Sequence, residues 1–456
     1  ILAYDAAGQP VEPQWPQADV IIGNPPFLGG GKIRSELGDA YTNDLFKLYG
    51  DRLPNFSDLV CYWFEKARGM IEAGKAKRAG LLATQGIRGG ANRTVLERIK
   101  QTGDIFWAQS DRNWILDGAT VHVSMIGFDN SLEQLRMLDD VNVAVINSDL
   151  TRGVDLTKAR WLSENRDISF QGPSPKAPFD IEFEEAQQLL ARPINVNGRP
   201  NTDVVRPVVS AIDLVQNDRN KWTIDFGLMD MEEASQYEAP FEFVRQRILP
   251  VRALRRDDYR GQWWQYARPR PEMRNALKGK TRYIATPRVS KHRIFVWREA
   301  NTLANDGTIV FAVESDYMFG VLHARAHELW ARRMGTQLRE AESGFRYTPT
   351  TTFETYPFPW PPGQEPLNEA RVQAIAQAAQ ALVRLRDAWL NPAGASAAEL
   401  KKRTLTNLYN QRPTWLVQAH ARLDAAVFAA YGWPPNLADE EVLARLLALN
   451  LARAGD

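Results

Sequence analysis

The stretch Asp19-Val20-Ile21-Ile22-Gly23-Asn24-Pro25-Pro26-Phe27 decides how this chain is read. Residues 19–23 are a short apolar run closed by glycine, the pattern of a buried strand, and Asn24 follows at once with two prolines behind it. Open α/β sheets bind ligands outside the carboxyl ends of parallel strands, so the arrangement sets a polar amide where such a sheet meets its ligand. The consecutive prolines stiffen the turn and leave nearby carbonyls without N–H partners. The Asn24 side-chain oxygen and the Pro25 carbonyl are expected to accept hydrogen bonds from one exocyclic amine, such as that of adenine. Held this way, the nitrogen lone pair is aimed at an electrophilic methyl group. Phe27 is placed to stack on a base turned out of a duplex, and Pro26 completes the catalytic turn. No acid, base or covalent nucleophile is needed. The bland alternative is a rigid strand-to-loop turn capped by asparagine, and the preceding strand pattern makes it the weaker reading.

Working outward, residues 1 to about 145 alternate strand-like and helical patterns, the signature of an α/β layer fold. Ser57 is expected to cap a helix over residues 58–73, with Val60, Phe64, Ala67 and Ile71 on one face and Gly74 as its stop. Residues 79–84 read as a buried strand, 92–100 as a helix, and 104–108, 121–128 and 142–146 as strands. From about 150 to 365 the strand-like pieces shorten, as at 222–226, 283–286 and 293–297, which predicts an irregular, mainly β domain with some helices. The run Pro357-Phe358-Pro359-Trp360-Pro361-Pro362 marks a boundary. Beyond it Val372, Ile375, Ala379, Leu382, Arg386 and Trp389 follow helical spacing. Pro413 opens a helix that Gly432 ends, and Asp439 starts a last one with Val442, Leu446 and Leu449 inward. No solenoid repeat is found.

A chain of 456 residues is expected to hold two or three domains. Its single cysteine, Cys61, excludes an internal disulfide and a cysteine-rich zinc site, and fits a reducing cytosol. No apolar run approaches the roughly 18 residues of a membrane span, and no signal-peptide pattern opens the sequence. A cytoplasmic protein without a membrane partner is expected.

The net charge of +1 conceals a strong segregation. Between Arg245 and Arg298 thirteen arginines and three lysines face only Asp257, Asp258 and Glu272, a net of +13 that leaves −12 for the rest of the chain. Tyr259, Trp263, Trp264, Tyr266, Tyr283 and Trp297 are interleaved with these charges. Such a segment suits nucleic acid: cations neutralise phosphates, and a bidentate arginine reads a guanine edge. The candidates for DNA contact are Arg255, Arg256, Arg260, Arg268, Arg270 and Lys291. For any single arginine a solvated cationic face over an aromatic core explains as much; for the cluster, nucleic acid explains more.

Other signals are set aside. Gly31-Lys32 is followed by Ile33 where a phosphate loop needs Ser or Thr. His323 and His327 have a zinc-like spacing, but no glutamate lies between them and no third ligand is evident, so no metal is expected. His122 is read as a core or loop-packing residue with a substrate contact as the lesser alternative, Asp58 as an acid in the first turn of a helix, and the 372–389 pattern as a spacer, a dimer helix or internal packing.

Residues 19–27 resemble motif IV of amino-methyltransferases, and residues 58–67, 79–84 and Ala119-Thr120-Val121-His122-Val123-Ser124 are similar to the segments downstream of that motif in the same family. Residues 197–204, 222–226 and 345–359 resemble the target-recognition region of MmeI-like (type IIL) restriction–modification methyltransferases. The resemblance covers most of the chain, the tail after 365 being least diagnostic. It implies site-specific methyl transfer from S-adenosylmethionine to adenine N6 in double-stranded DNA. It also implies a partial Rossmann-like class I methyltransferase domain over 1–148, a mixed, mainly β target-recognition domain over 149–365 and a helical region over 366–456.

In that family a glycine-rich AdoMet loop, Phe-x-Gly-x-Gly, lies well upstream of the motif, whereas 23 residues precede Asn24 here and none form it. Phe27-Leu28-Gly29-Gly30-Gly31 comes after the motif and reads as a mobile substrate loop. Asp19 is the one residue assigned to the cofactor side. The opening on Ile1 rather than Met reads as truncation, so the chain is expected to bind AdoMet poorly alone. Its expected partners are duplex DNA and either the missing N-terminal part or a separate restriction subunit; no nuclease motif is found. Two alternatives stand beside this: a non-catalytic DNA-binding fragment, and a release-factor glutamine-N5 methyltransferase, whose compact relatives lack a large basic domain.

Overall fold

The computed structural model describes residues 1–116, 119–254, 261–337 and 344–455. They divide into two compact units at Lys158 and Ala159. In the first unit the strands are β1 (Ala3–Tyr4), β2 (Pro10–Val11), β3 (Val20–Gly23), β4 (Arg78–Thr84), β5 (Asp104–Leu116), β6 (Ala119–Asp129), β7 (Arg136–Leu138) and β8 (Val141–Val143). The helices are α1 (Ile33–Leu37), α2 (Asp39–Tyr49), α3 (Val60–Glu72) and α4 (Arg93–Thr102). Six strands form one sheet in the order β3-β4-β6-β5-β7-β8. β3 and β4 are parallel with Gly23 opposite Leu81, so α3 is carried on the crossover between them. β6 runs antiparallel to both β4 and β5. Val60, Phe64, Ala67 and Ile71 of α3 and Val95, Leu96 and Ile99 of α4 share one core with Ala79, Leu81 and Ala83 of β4.

Three expectations are corrected by this unit. Ser57 does not cap α3, which starts at Val60 with no side-chain cap; its hydroxyl instead donates to the Ala91 carbonyl at 3.3 Å. The strand expected over 142–146 stops at Val143, and Ile146 enters the core from a loop. β3 is not buried: Val20 is 46% and Ile22 83% exposed. β3 lies at the sheet edge, and alternate residues of a strand face opposite ways. Ile21 meets the core while Val20 and Ile22 share the uncovered face.

The second unit holds eleven named strands among its described residues. These are β9 (Ser169–Gln171), β10 (Asp180–Ile181), β11 (Val205–Val209), β12 (Trp222–Ile224), β13 (Arg282–Pro287), β14 (Val289–Ser290), β15 (Val296–Glu299), β16 (Leu303–Ala304), β17 (Thr308–Phe311), β18 (Thr336–Gln337) and β19 (Phe345–Arg346). They form three small sheets, β10-β12-β11-β16, β15-β13-β17-β9 and β14-β19-β18. Between the strands lie α5 (Phe183–Leu190), α6 (Ala211–Val215), α7 (Met231–Ser235), α8 (Glu238–Ala253), α9 (Pro271–Leu277), α10 (Asp316–His323) and α11 (Arg325–Met334). The helical tail comprises α12 (Ala370–Leu390), α13 (Ala397–Lys402), α14 (Leu405–Gln411), α15 (Thr414–Tyr431) and α16 (Asp439–Ala454). It packs onto α10 and α11 within the same unit. At Gly320 of α10 an added Cβ would lie 2.6 Å from Ile375 of α12, so the close crossing of these helices requires glycine.

The arginine interrupting the apolar seam of α12 is explained by its partners. Arg386 is buried and donates to His323 Nε2 and to the Phe295 carbonyl, each at 3.0 Å. His323 and His327 do not share a helix, because Ala324 between α10 and α11 is extended. Burial, then the Arg386 charge, pushes His323 well below the usual histidine range, and burial brings His327 down to about 3. His327 lies 2.8 Å from the Leu322 carbonyl and 2.9 Å from the Tyr347 hydroxyl. Among the described residues no cluster of three metal-binding side chains occurs, and no helix is long and apolar enough to cross a membrane.

Asp424 of α15 accepts the Arg325 N–H at 2.7 Å, yet burial raises its pKa to about 6. A carboxyl raised in the folded state binds more protons there than when unfolded. Stability is therefore highest below about pH 4 for this group and falls as pH rises toward 6. Asp424→Asn keeps the acceptor and removes the buried charge. It is expected to raise Tm by about 2–4 °C at neutral pH and to leave it unchanged at pH 4, as thermal unfolding at the two pH values will report.

Candidate functional site

Asn24 leaves the sheet just past Gly23, at the carboxyl end of β3. β4 runs in the same direction and ends at Thr84, opposite Val123 of β6, so the segments following β3 and β4 and the start of β6 share one edge. At that edge Asn24 and Pro26 are exposed, Pro25 is buried and Phe27 is half-buried. Nothing among the described residues hydrogen-bonds the Asn24 side chain, which leaves its oxygen available to a ligand donor. His122, at the same edge, lies with Nδ1 2.6 Å from Asp111 Oδ1 across the β5–β6 hairpin.

The glycine-rich segment after the motif is tied down rather than loose. The Leu59 N–H donates to the Leu28 carbonyl at 2.8 Å, and the Gly30 N–H donates to Asp58 Oδ1 at 2.8 Å. The Asp58 N–H in turn donates to Asn92 Oδ1 at 2.7 Å, and Asn92 Nδ2 lies 3.4 Å from the Gly86 carbonyl. Asp58 therefore braces the motif loop against the segment that follows β4, a role its position before a helix did not disclose. Asn92, 34 residues away, carried no sequence signal at all.

A Cβ at Gly30 would lie 2.0 Å from the Phe56 carbonyl oxygen, a clash with backbone that cannot rotate away. Gly30→Ala is expected to release the loop. The readout is limited trypsin digestion, with cleavage at Lys32 and Arg34 faster by about tenfold or more, as for a local opening made easier by over 1 kcal/mol. Unchanged cleavage would show that the brace tolerates the shift.

Asp19 is not brought to this edge. It precedes β3 at the amino end, about five residues or roughly 16 Å from Asn24 along an extended chain, and its carboxylate pairs with Lys77 at 2.8 Å. That exposed pairing lowers the Asp19 pKa. The cofactor-side assignment of Asp19 does not fit this placement.

In the basic segment several of the charges are used internally. Arg245 pairs with Glu242 at 2.7 Å, Arg274 with Asp225 at 2.8 Å and Arg282 with Asp316 at 3.1 Å. Buried Arg252 donates to the Gln262 and Pro175 carbonyls, and buried Arg293 to those of Pro287 and Phe345. Burial brings Arg293 down to about 10. The aromatics belong to the interior as well: Trp263, Trp264, Tyr266 and Tyr283 are buried. Trp297 stacks on Phe319 at 5.0 Å with Arg282 over its ring. They form core, not a platform for bases.

Among the DNA-contact candidates, Arg255, Arg256 and Arg260 lie outside the described residues, as does Tyr259. Arg268 and Lys291 are exposed, and Arg270 is half-buried with its guanidinium 3.2 Å from Gln171 Oε1. None of these three has a carboxylate partner among the described residues.

Comparison with known proteins bears on both units. Residues 8–139 match the family described as the DNA-methyltransferase domain of MmeI, and residues 182–360 match its target recognition domain. The type IIL restriction–modification enzyme MmeI, solved in complex with DNA, superposes with a TM-score of 0.73 at 21% identity, covering 96% of this chain and 57% of that chain. The chain thus spans little more than half the length of that enzyme. The type IIG restriction endonuclease BpuSI aligns at a TM-score of 0.25 and 10% identity, over 91% of this chain and 54% of that chain, too weak a likeness to carry a statement about fold. No curated protein matches. With the fold of MmeI and matches to both its methyltransferase and target recognition domains, the chain belongs to the MmeI-like (type IIL) restriction–modification family.

Proposed function

We propose that this chain is the amine-orienting and target-reading portion of a cytoplasmic, site-specific DNA methyltransferase that moves a methyl group from S-adenosylmethionine to adenine N6 in duplex DNA. The observation that carries the reading is the exposed Asn24 amide at the carboxyl end of β3, unpartnered among the described residues, beside a buried Pro25. In this reading Asn24 Oδ1 and the Pro25 carbonyl accept the two amine hydrogens, and the half-buried Phe27 stacks on the flipped base. Pro26 keeps the turn from relaxing, and the Asp58–Asn92 brace fixes the loop beyond it. S-adenosylmethionine, when bound, supplies an electrophilic methyl group. Among the described residues none forms a glycine-rich turn of the kind that would hold it. The chain spans little more than half of the MmeI chain it matches, and donor binding is assigned to a part of the parent protein outside these residues.

Residues 1–148 are taken as the catalytic part, 149–365 as target recognition and 366–456 as a supporting helical region. Arg268, Arg270 and Lys291, with Arg255, Arg256 and Arg260, are taken as DNA contacts. The test is labelled methyl transfer to mixed-sequence DNA by this chain and by the chain joined to its upstream portion, with nucleosides analysed for N6-methyladenine. Methylation by the joined protein alone is expected. DNA binding without any N6-methyladenine would leave a non-catalytic DNA-binding role in its place.

A further inference from the structure

Four arginines converge at one end of the β15-β13-β17-β9 sheet, and among the described residues none of them forms an ion pair with a carboxylate. Arg288 directly follows β13; its N–H donates to the Gly307 carbonyl at 2.8 Å, just before β17 begins. Its own carbonyl accepts the Tyr347 N–H at 2.8 Å, which stitches it to β19 and Arg346. Arg346 lies opposite Val289, one residue from Arg288. On the β9 side of the same end, the Gly172 N–H donates to the Thr308 carbonyl at 3.1 Å. Ser174 there forms an antiparallel bridge with Arg268. Arg270 sits in the left-handed region at φ +58°, and its guanidinium turns back to Gln171.

No carboxylate pairs with any of the four among the described residues. Asp306, the acid in this neighbourhood, is engaged by the Ser174 hydroxyl at 2.6 Å and by Lys176 at 3.7 Å. Among the described residues the buried Nε atoms of Arg270 and Arg346 have no hydrogen-bond partners. Arg288 registers the crowding: burial first, then Arg346, pulls its pKa down against the opposing effect of Asp306, and Arg270 and Arg268 add to the lowering.

Such a cluster is unfavourable by itself, since like charges repel and an unpaired guanidinium donor costs desolvation energy. A row of phosphates removes both terms at once. Duplex DNA presents closely spaced anions, and a guanidinium grips a phosphate with two parallel N–H bonds from its outward-facing nitrogens. We propose that Arg268, Arg270, Arg288 and Arg346 form a sequence-independent clamp for the phosphodiester backbone of duplex DNA. This rests on the DNA-binding role proposed for the chain and adds Arg288 and Arg346 to it. Arg346 lies outside the basic stretch of the sequence, so only the fold brings it to the others.

The test measures binding of a short mixed-sequence duplex to the full chain by fluorescence anisotropy across a salt series. Each phosphate contact contributes about 0.9 to the slope of log affinity against log salt. R288Q/R346Q is therefore expected to lower that slope by about 1.8 and to weaken low-salt binding about tenfold or more. R288K/R346K, which keeps the charge, is expected to keep the slope. Relief of repulsion should also raise the Tm of the glutamine variant at low salt, and the gain should vanish at high salt.

An unchanged slope in the glutamine variant, with the parent chain still binding DNA, overturns the clamp and leaves the wider reading intact. A lower Tm in both variants identifies the arginines as structural and likewise overturns it. A parent chain that binds no duplex removes the DNA reading and the clamp together. Inorganic phosphate at matched ionic strength is the last arm: if it protects the parent chain as well as duplex does, the cluster is a free-anion site and the clamp is wrong.

Discussion

In the chain joined to its upstream portion, Asn24→Ala is expected to lower methyl transfer by at least about 10²-fold, the usual cost of removing one preorganised hydrogen-bond partner from a reacting group. Duplex binding and Tm should stay at parental values, because the Asn24 side chain is exposed and supports no other described residue. The Pro25 carbonyl survives the substitution, so one of the two acceptors remains and the amine is held but not aimed. Phe27→Ala should act differently. It removes a stacking surface worth about 1–3 kcal/mol per base and so should weaken capture of the flipped adenine. Labelled methyl incorporation with nucleoside analysis, run beside anisotropy on the same duplex, separates the two effects. Full activity in Asn24→Ala would mean that the turn does not hold the amine. Loss of DNA binding along with activity would move Asn24 from the reacting group to the general interface.

What the sequence disclosed was local. The turn after β3, the apolar face of α3 and the Gly432 stop of α15 all follow from patterns a few residues long, and they stand where they were expected. What it concealed depends on neighbours distant in the chain. Val20-Ile21-Ile22 has the pattern of a strand buried on both faces, and only the strand order reveals that β3 is an edge. A count of charges cannot show that Arg252, Arg293 and Arg386 are buried among backbone carbonyls. Nor can it show that Arg346 joins Arg288 across a strand pair. The tryptophans among the arginines suggested a base-stacking surface as readily as a core, and packing put Trp263 and Trp264 inside. The motif loop looked mobile because it is rich in glycine. At Gly30 the glycine serves a close backbone approach to Phe56, which makes the loop ordered by the same residue that suggested freedom.

The largest stability effect is expected at Glu65, on the buried side of α3. Its carboxylate is 0% exposed and accepts four hydrogen bonds. Arg68 Nε and Nη2 donate at 3.0 and 2.8 Å, and Arg98 Nε and Nη2 each donate at 3.0 Å. Arg68 is itself buried and extends the network to Glu72 at 2.8 Å and Thr102 at 3.2 Å, so α3 and α4 are joined through one acid. Glu65→Ala strands a buried guanidinium and is expected to cost about 3–5 kcal/mol. Replacing Glu65 and Arg68 together, as Glu65→Leu with Arg68→Met, removes the two fully desolvated charges, leaves the partly exposed Arg98 to solvent and should recover part of that loss. Because the chain has two units, the opening of this one is followed at its own amides. Hydrogen exchange of α3 and β4 amides in urea reads this unit alone. If Glu65→Ala exchanges like the parent, or the double variant fares worse than the single, the joint does not depend on the ion pair. The effect should reach the motif loop as well: Asp58 and Asn92 lie just before α3 and α4, and their bond holds only while the two helices keep their spacing. Glu65→Ala is therefore expected to speed tryptic cleavage at Lys32, even though Glu65 itself is buried in the core and touches no part of the loop.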